Sequence, residues 1–326
     1  MTQRVLVTGA AGFIGSSLCE RLIAEGHTVV GIDNFFRGSR SHLSTIETHP
    51  EFSFYEGDVT SLKEIQACAE VTKGFDLVHH LAAINGTKWF HETPRHVMET
   101  NIIGTLRTLE AAESWGARYV LASSPEAFGD TKTMPLLEEQ SSMFPSAHSH
   151  QRFSYGASKY LDEVAVQHAV RCGVDARIVR PFNAYGPRML GDAYGQVIGM
   201  MFQSVLDEVP ILIHNGGGQT RCFSYIEDIV EGFFLAGELD EAVDDSVTLS
   251  GRCFNIGTSE EITMNDLAQH ILAVSSKEGL GTVHTEGHPG DSSRRVPDCE
   301  AAMTGLGWSP KVGLKDGLRR MWDHLR

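Results

Sequence analysis

The sequence predicts an α/β fold, a doubly wound parallel sheet followed by a smaller C-terminal α/β lobe. Three observations predict it. The chain opens on a short apolar run, Val5-Leu6-Val7, followed by glycines at 9, 12 and 15 and then by apolar residues at helical spacing over 13–24. Strand and helix signals alternate through the first half, the pattern of parallel strands joined by crossover helices. Beyond residue 186 the alternation loosens, which marks the second lobe. The expected division is 1–180 and 181–326, with segments about 222–256 returning to the first unit.

The opening run reads as a buried strand and the glycines as a turn into a helix. Gly9 permits the tight turn, Gly12 lets the backbone approach a pyrophosphate, and Gly15 lets the helix pack close to the strand. The helix N-terminus, at Phe13 and Ile14, offers unpaired N–H groups to phosphates. A second strand at 28–32 ends on Asp33, whose carboxylate suits both ribose hydroxyls of an adenosine. Asp33 also repels a 2'-phosphate, so NAD is expected rather than NADP, with Arg37 the nearby group that pulls the other way.

The third strand is expected at 52–55. Asp58 and Val59 follow it, where Asp58 either lies beside an adenine or caps the helix starting near Ser61. A fourth strand at 77–81 ends in Leu81-Ala82-Ala83, small residues that suit close passage of a cofactor. Thr93-Pro94 starts a helix to about 115, with threonine as N-cap and proline at the first position. A fifth strand at 119–122 runs into Ser123-Ser124-Pro125-Glu126. The polar stretch 131–152 reads as a loop near the active site, and a helix covers about 154–172. A sixth strand at 176–180 leads into Pro181-Phe182-Asn183. In the second lobe, helices are expected near 196–205, 226–235, 264–274 and 314–326, with a strand at 211–213 and a glycine turn at 216–218.

Composition sets the outer bounds. The chain has 326 residues, 41% hydrophobic, and a formal net charge of −15, which argues against a nucleic-acid surface and against an anionic membrane face. No apolar run approaches the roughly 20 residues that span a bilayer, and no leader is expected before the first strand. Cysteines 19, 68, 172, 222, 253 and 299 are scattered without metal-ligand spacing, so reduced thiols and a cytoplasmic location are expected. Asn85-Gly86-Thr87 fits a glycosylation sequon by chance, and His148-Ser149-His150 reads as a solvated loop; no metal is expected.

Tyr155 and Lys159 form a YxxxK pair, one turn apart on one helix face. A phenol titrates near 10, and bringing it to neutrality takes about 4 kcal/mol. A lysine ammonium and a nicotinamide cation, each about 5 Å away at an effective dielectric near 20, supply about that much. Tyrosinate then takes a hydroxyl proton while hydride leaves the same carbon. Ser124, at the end of the fifth strand, is placed to hydrogen-bond the reacting oxygen.

On these residues the chain resembles the extended short-chain dehydrogenase/reductase superfamily of nucleotide-sugar epimerases, dehydratases and decarboxylases. The shared segments are TGAAGFIG at 8–15, DNFFRG at 33–38, GDV at 57–59, LAA at 81–83 and NIIGT at 101–105. They continue with SSPEAFG at 123–129, YGASK at 155–159, RPFNAYGPR at 180–188 and GGGQTRCFSYIEDIV at 216–230. The resemblance implies a Rossmann-type NAD domain and a lobe that clamps a nucleoside diphosphate sugar, a UDP-sugar first. It implies Ser124, Tyr155 and Lys159 as catalytic, with Glu126 either joining them or bonding loop backbone. It adds Asn34, Asn101, Ala122 and Pro181 to the cofactor contacts. Thr87, Asn183, Arg188, Arg221 and Arg295 are implied for the substrate; Arg221 also suits a bidentate grip on a diphosphate. Trp89 and Phe90 are expected at the sugar site or in the core.

The relatives share oxidation at the sugar C4 and diverge at the 4-keto stage. Pro125 stands where dehydratases carry an acid, which weakens dehydration. Glu126, the GPRM segment at 186–189 and Gln219-Thr220-Arg221 match UDP-glucuronate decarboxylases. Simple 4-epimerases need only Ser, Tyr and Lys. The first reading is 4-epimerisation, the second decarboxylation, the third dehydration. A catalytically silent NAD sensor is the alternative from another class, and it would need none of the three residues. His288 replaces an arginine common in relatives. A homodimer through the helices at 93–115 and 154–172 is expected by analogy.

Overall fold

In the computed structural model, the described residues are 2–70, 72–149, 151–189, 191, 196–287 and 292–326. Seven parallel strands form the main sheet. They are β1 (Arg4–Thr8), β2 (Thr28–Asp33), β3 (Phe52–Glu56), β4 (Leu77–His80), β5 (Arg118–Ala122), β6 (Ala176–Pro181) and a strand at Cys253–Ile256. Their spatial order is Cys253–Ile256, β6, β5, β4, β1, β2, β3. The direction of winding reverses between β1 and β4, which opens a crevice at their carboxyl ends, where ligands of such sheets bind.

The sheet is buried on both faces, as near-continuous apolar strands require. Val5 and Val7 face the layer holding α1 (Phe13–Ala24) and the Ile226–Glu238 helix, while Leu6 faces the layer holding Leu109, Ala112 and Val166. The Ile226–Glu238 helix packs against α1, and the strand at Cys253–Ile256 then extends the sheet beside β6. Outside the main sheet, the C-terminal part carries the Val197–Leu206, Met264–Ser275 and Leu314–Leu325 helices, and two-stranded and three-stranded sheets built from short strands.

The helix expected over about 93–115 forms with Thr93 at its N-cap and Pro94 first, as Pro94–Met98, a π-turn at Glu99–Ile103, and Gly104–Trp115; a separate short helix, Thr87–Glu92, precedes it. Thr93 sits at φ −135°, ψ 52°, and its side chain makes no N-cap bond; its hydroxyl donates back to Trp89 O instead. The π-turn turns the Asn101 carboxamide inward, between β4 and the helix that carries Tyr155 (Phe153–Arg171). Asp58 does not cap the helix after it. Ser61 does, accepting from Glu64 N, while Asp58 accepts from Thr60 and from the Asn34 amide.

Candidate active site

The site starts at the glycine loop. Gly9 has φ +69°, and a Cβ there would meet Ala82 N at 2.8 Å; a Cβ on Gly15 would fall 2.1 Å from Gly9 O. The first loop and the loop after β4 therefore touch through backbone alone. Thr8 fixes the second loop, its hydroxyl accepting from Leu81 N and Ala82 N at 3.1 Å each. Asp33 is buried at the end of β2. Its Oδ2 accepts from Ala11 N at 3.0 Å and its Oδ1 from Phe35 N at 2.7 Å, so it latches the glycine loop as well as facing the crevice. Burial raises its carboxyl, and those backbone bonds pull it back.

Gly9, Gly12, Asp33, Asn34, Arg37, Val59 and Leu81-Ala82-Ala83 line the first part of the crevice. It opens into a cleft of about 710 Å³ between the sheet and the second lobe. Phe13, Ile14, Ala122, Pro181, Tyr155 and Lys159 line the near wall, and Thr87, Asn183, Arg188, Arg221 and Arg295 line the far part. A backbone cradle at a strand-order reversal, with a carboxylate at the end of β2, fits NAD. One of the expected cofactor contacts stands elsewhere. Asn101 is fully buried behind the crevice, its carboxamide accepting from Ile84 N at 2.9 Å and donating to Ser158 Oγ at 3.0 Å. Asp58, between the crevice residues Gly57 and Val59, accepts from the Asn34 amide at 3.1 Å.

Ser124 and Tyr155 meet at the cleft floor. The serine hydroxyl is a hydrogen-bonding neighbour of the phenol, and Phe90 stacks on the Tyr155 ring at 4.8 Å and 8°. Phe90 thus holds the reacting ring, while Trp89 packs on Phe36. Burial pushes the phenol upward, the Ser124 bond opposes it, and the Glu126 and Asp162 charges add to the rise. Lys159 does not act on the phenol unopposed, as the sequence implied. Its Nζ donates to Asp162 Oδ2 at 3.1 Å, with both side chains buried.

Glu126 is held in an ion cluster. Arg152 reaches its Oε1 at 3.2 Å and Arg295 its Oε2 at 3.1 Å. Burial pushes the carboxyl up, but the Arg295, Arg152 and Arg221 charges outweigh it and keep the carboxylate ionised. Nη1 of Arg295 is buried with no hydrogen-bond partner among the described residues. Two other expected substrate contacts are already engaged. Arg188 bonds Ser16 Oγ and Glu20 on α1, and the Asn183 amide donates to Cys222 O at 2.7 Å.

Sequence reasoning missed Arg152 and Asp162. Arg152 sits in the polar stretch that reads as loop, although its place just before the Tyr155 helix is a usable signal. Asp162 shows as a Lys-x-x-Asp spacing whose meaning depends on that face being buried. His288 and His150 lie outside the described residues. Among those residues no cluster of three or more His, Cys, Asp or Glu could hold a metal ion, and no helix is long and apolar enough to cross a membrane.

Residues 5–257 match the NAD dependent epimerase/dehydratase family. The chain is 32% identical to UDP-glucuronic acid decarboxylase 1 of Arabidopsis thaliana over 99% of this chain and 70% of that one. Among solved structures it resembles UDP-glucose 4-epimerase of Thermotoga maritima, with a TM-score of 0.88 and 27% identity over 99% of this chain and 98% of that one. It also resembles UDP-glucuronic acid 4-epimerase of Bacillus cereus, solved with UDP-glucuronic acid and NAD, with a TM-score of 0.86, 28% identity and the same coverage.

Proposed function

Because the chain belongs to the NAD-dependent epimerase/dehydratase family, we propose that it inverts C4 of a nucleoside diphosphate sugar, a UDP-sugar, through a transient 4-keto intermediate. Tyr155 takes the C4 hydroxyl proton while Ser124 holds the same oxygen, and Lys159 supports the phenolate. NAD, when bound, supplies the hydride acceptor. The glycine loop and Asp33 would hold its adenosine half, in a crevice that shares Gly9, Gly12 and Leu81 with the cleft that Tyr155 lines.

One observation sets dehydration aside, and epimerisation then needs the fewest groups. Glu126, the carboxylate that an elimination across C5 and C6 would need as its base, is pinned between Arg152 and Arg295, whose charges lower its basicity, and Pro125 beside it has no proton to give. Ser124, Tyr155 and Lys159 are all that an oxidation and return at C4 requires. Decarboxylation is the second reading, favoured by the same cluster. Two guanidiniums on one carboxylate leave a net positive charge beside the reacting sugar, and Arg295 Nη1 is free to donate. A C6 carboxylate of a hexuronate suits that charge.

Incubating the NAD-loaded enzyme with UDP-hexoses and UDP-hexuronates, and reading products by mass and NMR, separates the readings. Unchanged mass with an inverted C4 is expected. Loss of carbon dioxide would move the assignment to decarboxylase, and no product from any sugar would remove both.

The same proposal includes a homodimer. Met98, Ile103 and Leu106 on one helical run, and Tyr160, Leu161 and Val164 on the Tyr155 helix, are large apolar residues each 39–50% exposed. A second copy covering both runs would bury them, and sedimentation is expected to give the mass of two chains rather than one. All six cysteines are free thiols, which supports a reducing, cytoplasmic setting.

A further inference from the structure

The helix that carries Tyr155 also carries a carboxylate for which the reaction above has no use. Asp162 lies one turn beyond Lys159 and two turns beyond Tyr155, so the three share one face. Its side chain has no solvent exposure, and its Oδ2 accepts from Lys159 Nζ at 3.1 Å. Its Oδ1 has no hydrogen-bond partner among the described residues.

The groups around the pair leave this contact undisturbed. From β4, His80 is kept neutral by burial and by the Lys159 charge, and its Nδ1 bonds Thr8 Oγ1 at 2.8 Å. From β5, Tyr119 is hydrogen-bonded to Thr108 at 2.8 Å and keeps its proton because it is buried. Thr105, on the Gly104–Trp115 helix, stands beside Asp162 short of a hydrogen bond. The neighbouring Glu163 is committed to Arg180 and Ser123, and Glu126 to its arginines.

Pairing gives one reason for an aspartate here, since without it the buried Lys159 ammonium would stand uncompensated. A buried ion pair is seldom worth more than apolar side chains of similar volume. Burial outweighs the attraction of Lys159 and raises the Asp162 carboxyl to about 6. An effect on the phenol gives a second reason.

We propose that Asp162 is a positioning residue that offsets the Lys159 ammonium as felt by Tyr155, so that the phenol ionises only when a nicotinamide cation lies beside it. This rests on Tyr155 being the base, as read above. Seven residues of helix separate the backbones of Asp162 and Tyr155 by about 10 Å along the axis, and the Asp162 charge is felt at the phenol. At an effective dielectric near 20, a charge at that distance moves a titration by about one pH unit. With the oxidised cofactor Tyr155 takes a proton. With the reduced cofactor it keeps that proton and returns it to the keto oxygen.

Ultraviolet titration of tyrosinate in the NAD-loaded protein, with Tyr155→Phe as the blank, reads this without substrate or turnover. Asp162→Asn is expected to lower the Tyr155 midpoint by about one pH unit, and Asp162→Glu to restore it. The acid limb of the turnover profile is expected to move the same way. An unchanged midpoint in a folded, NAD-loaded Asp162→Asn protein would overturn the proposal. Should that variant fail to fold, Asp162→Thr repeats the test. The wild type gives a further arm: its midpoint is expected to lie higher when loaded with NADH than with NAD, and equal midpoints would overturn the proposal. A shifted midpoint in a protein that turns over no nucleotide sugar would sink the reaction assignment alone and leave the role of Asp162 standing.

Discussion

Tyr155 concentrates the chemistry in one oxygen. Its ring is clamped by Phe90, its hydroxyl faces Ser124, and burial holds its proton on until positive charge arrives. Tyr155→Phe is therefore expected to lose turnover by about 10²–10⁴, the worth of a positioned general base. NAD affinity should stay within about tenfold of wild type, the worth of one hydrogen bond. Steady-state rates and NAD titration check both, and near-normal turnover would remove Tyr155 as the base. Ser124, Tyr155 and Lys159 are legible in the sequence because a fixed spacing on one helix, one loop after a strand end, determines where they point. Arg152 and Asp162 are not. Their importance lies in the charges they meet, Glu126 and Lys159, and only the folded protein brings those charges into contact.

The element that governs cofactor binding is the turn from β1 into α1. A Cβ on Gly15 would press 2.1 Å from Gly9 O and 2.8 Å from Gly9 C, both backbone atoms that cannot swing aside. Gly15→Ala is expected to destabilise the protein by about 1–3 kcal/mol, as overpacking does. It is expected to weaken NAD binding by about a hundredfold, the scale of loss from displacing a site by an ångström. Thermal unfolding and NAD calorimetry check the two effects, and unchanged affinity would mean that the loop does not carry the pyrophosphate. Local signals reveal this turn because glycine spacing encodes backbone proximity directly. The π-turn at Glu99–Ile103 escapes them, since an apolar pattern at helical spacing does not register one turn widened within the helix. The edge strand Cys253–Ile256 is four residues long, and it owes its place to pairing with β6 from far away in the sequence.

Across the whole molecule, charge is partitioned. The chain is strongly acidic, yet Arg152, Arg221 and Arg295 gather about Glu126 where the sheet faces the second lobe. A net charge of −15 thus argues against polyanions as partners but not against a nucleoside diphosphate, which meets only that local cluster. The cleft joins the parts: the glycine loop at one end, the Ser124–Tyr155 pair on the floor, and the arginines toward the lobe. Everything assigned to it depends on hydride leaving the carbon whose hydroxyl Tyr155 deprotonates. The most direct measurement follows deuterium placed at C4 of the UDP-sugar through a single turnover on the NAD-loaded enzyme. Deuterium retained at C4 of the product, with none of it exchanged into water, is the predicted result. Deuterium lost to water, or product formed with C4 never oxidised, would contradict it.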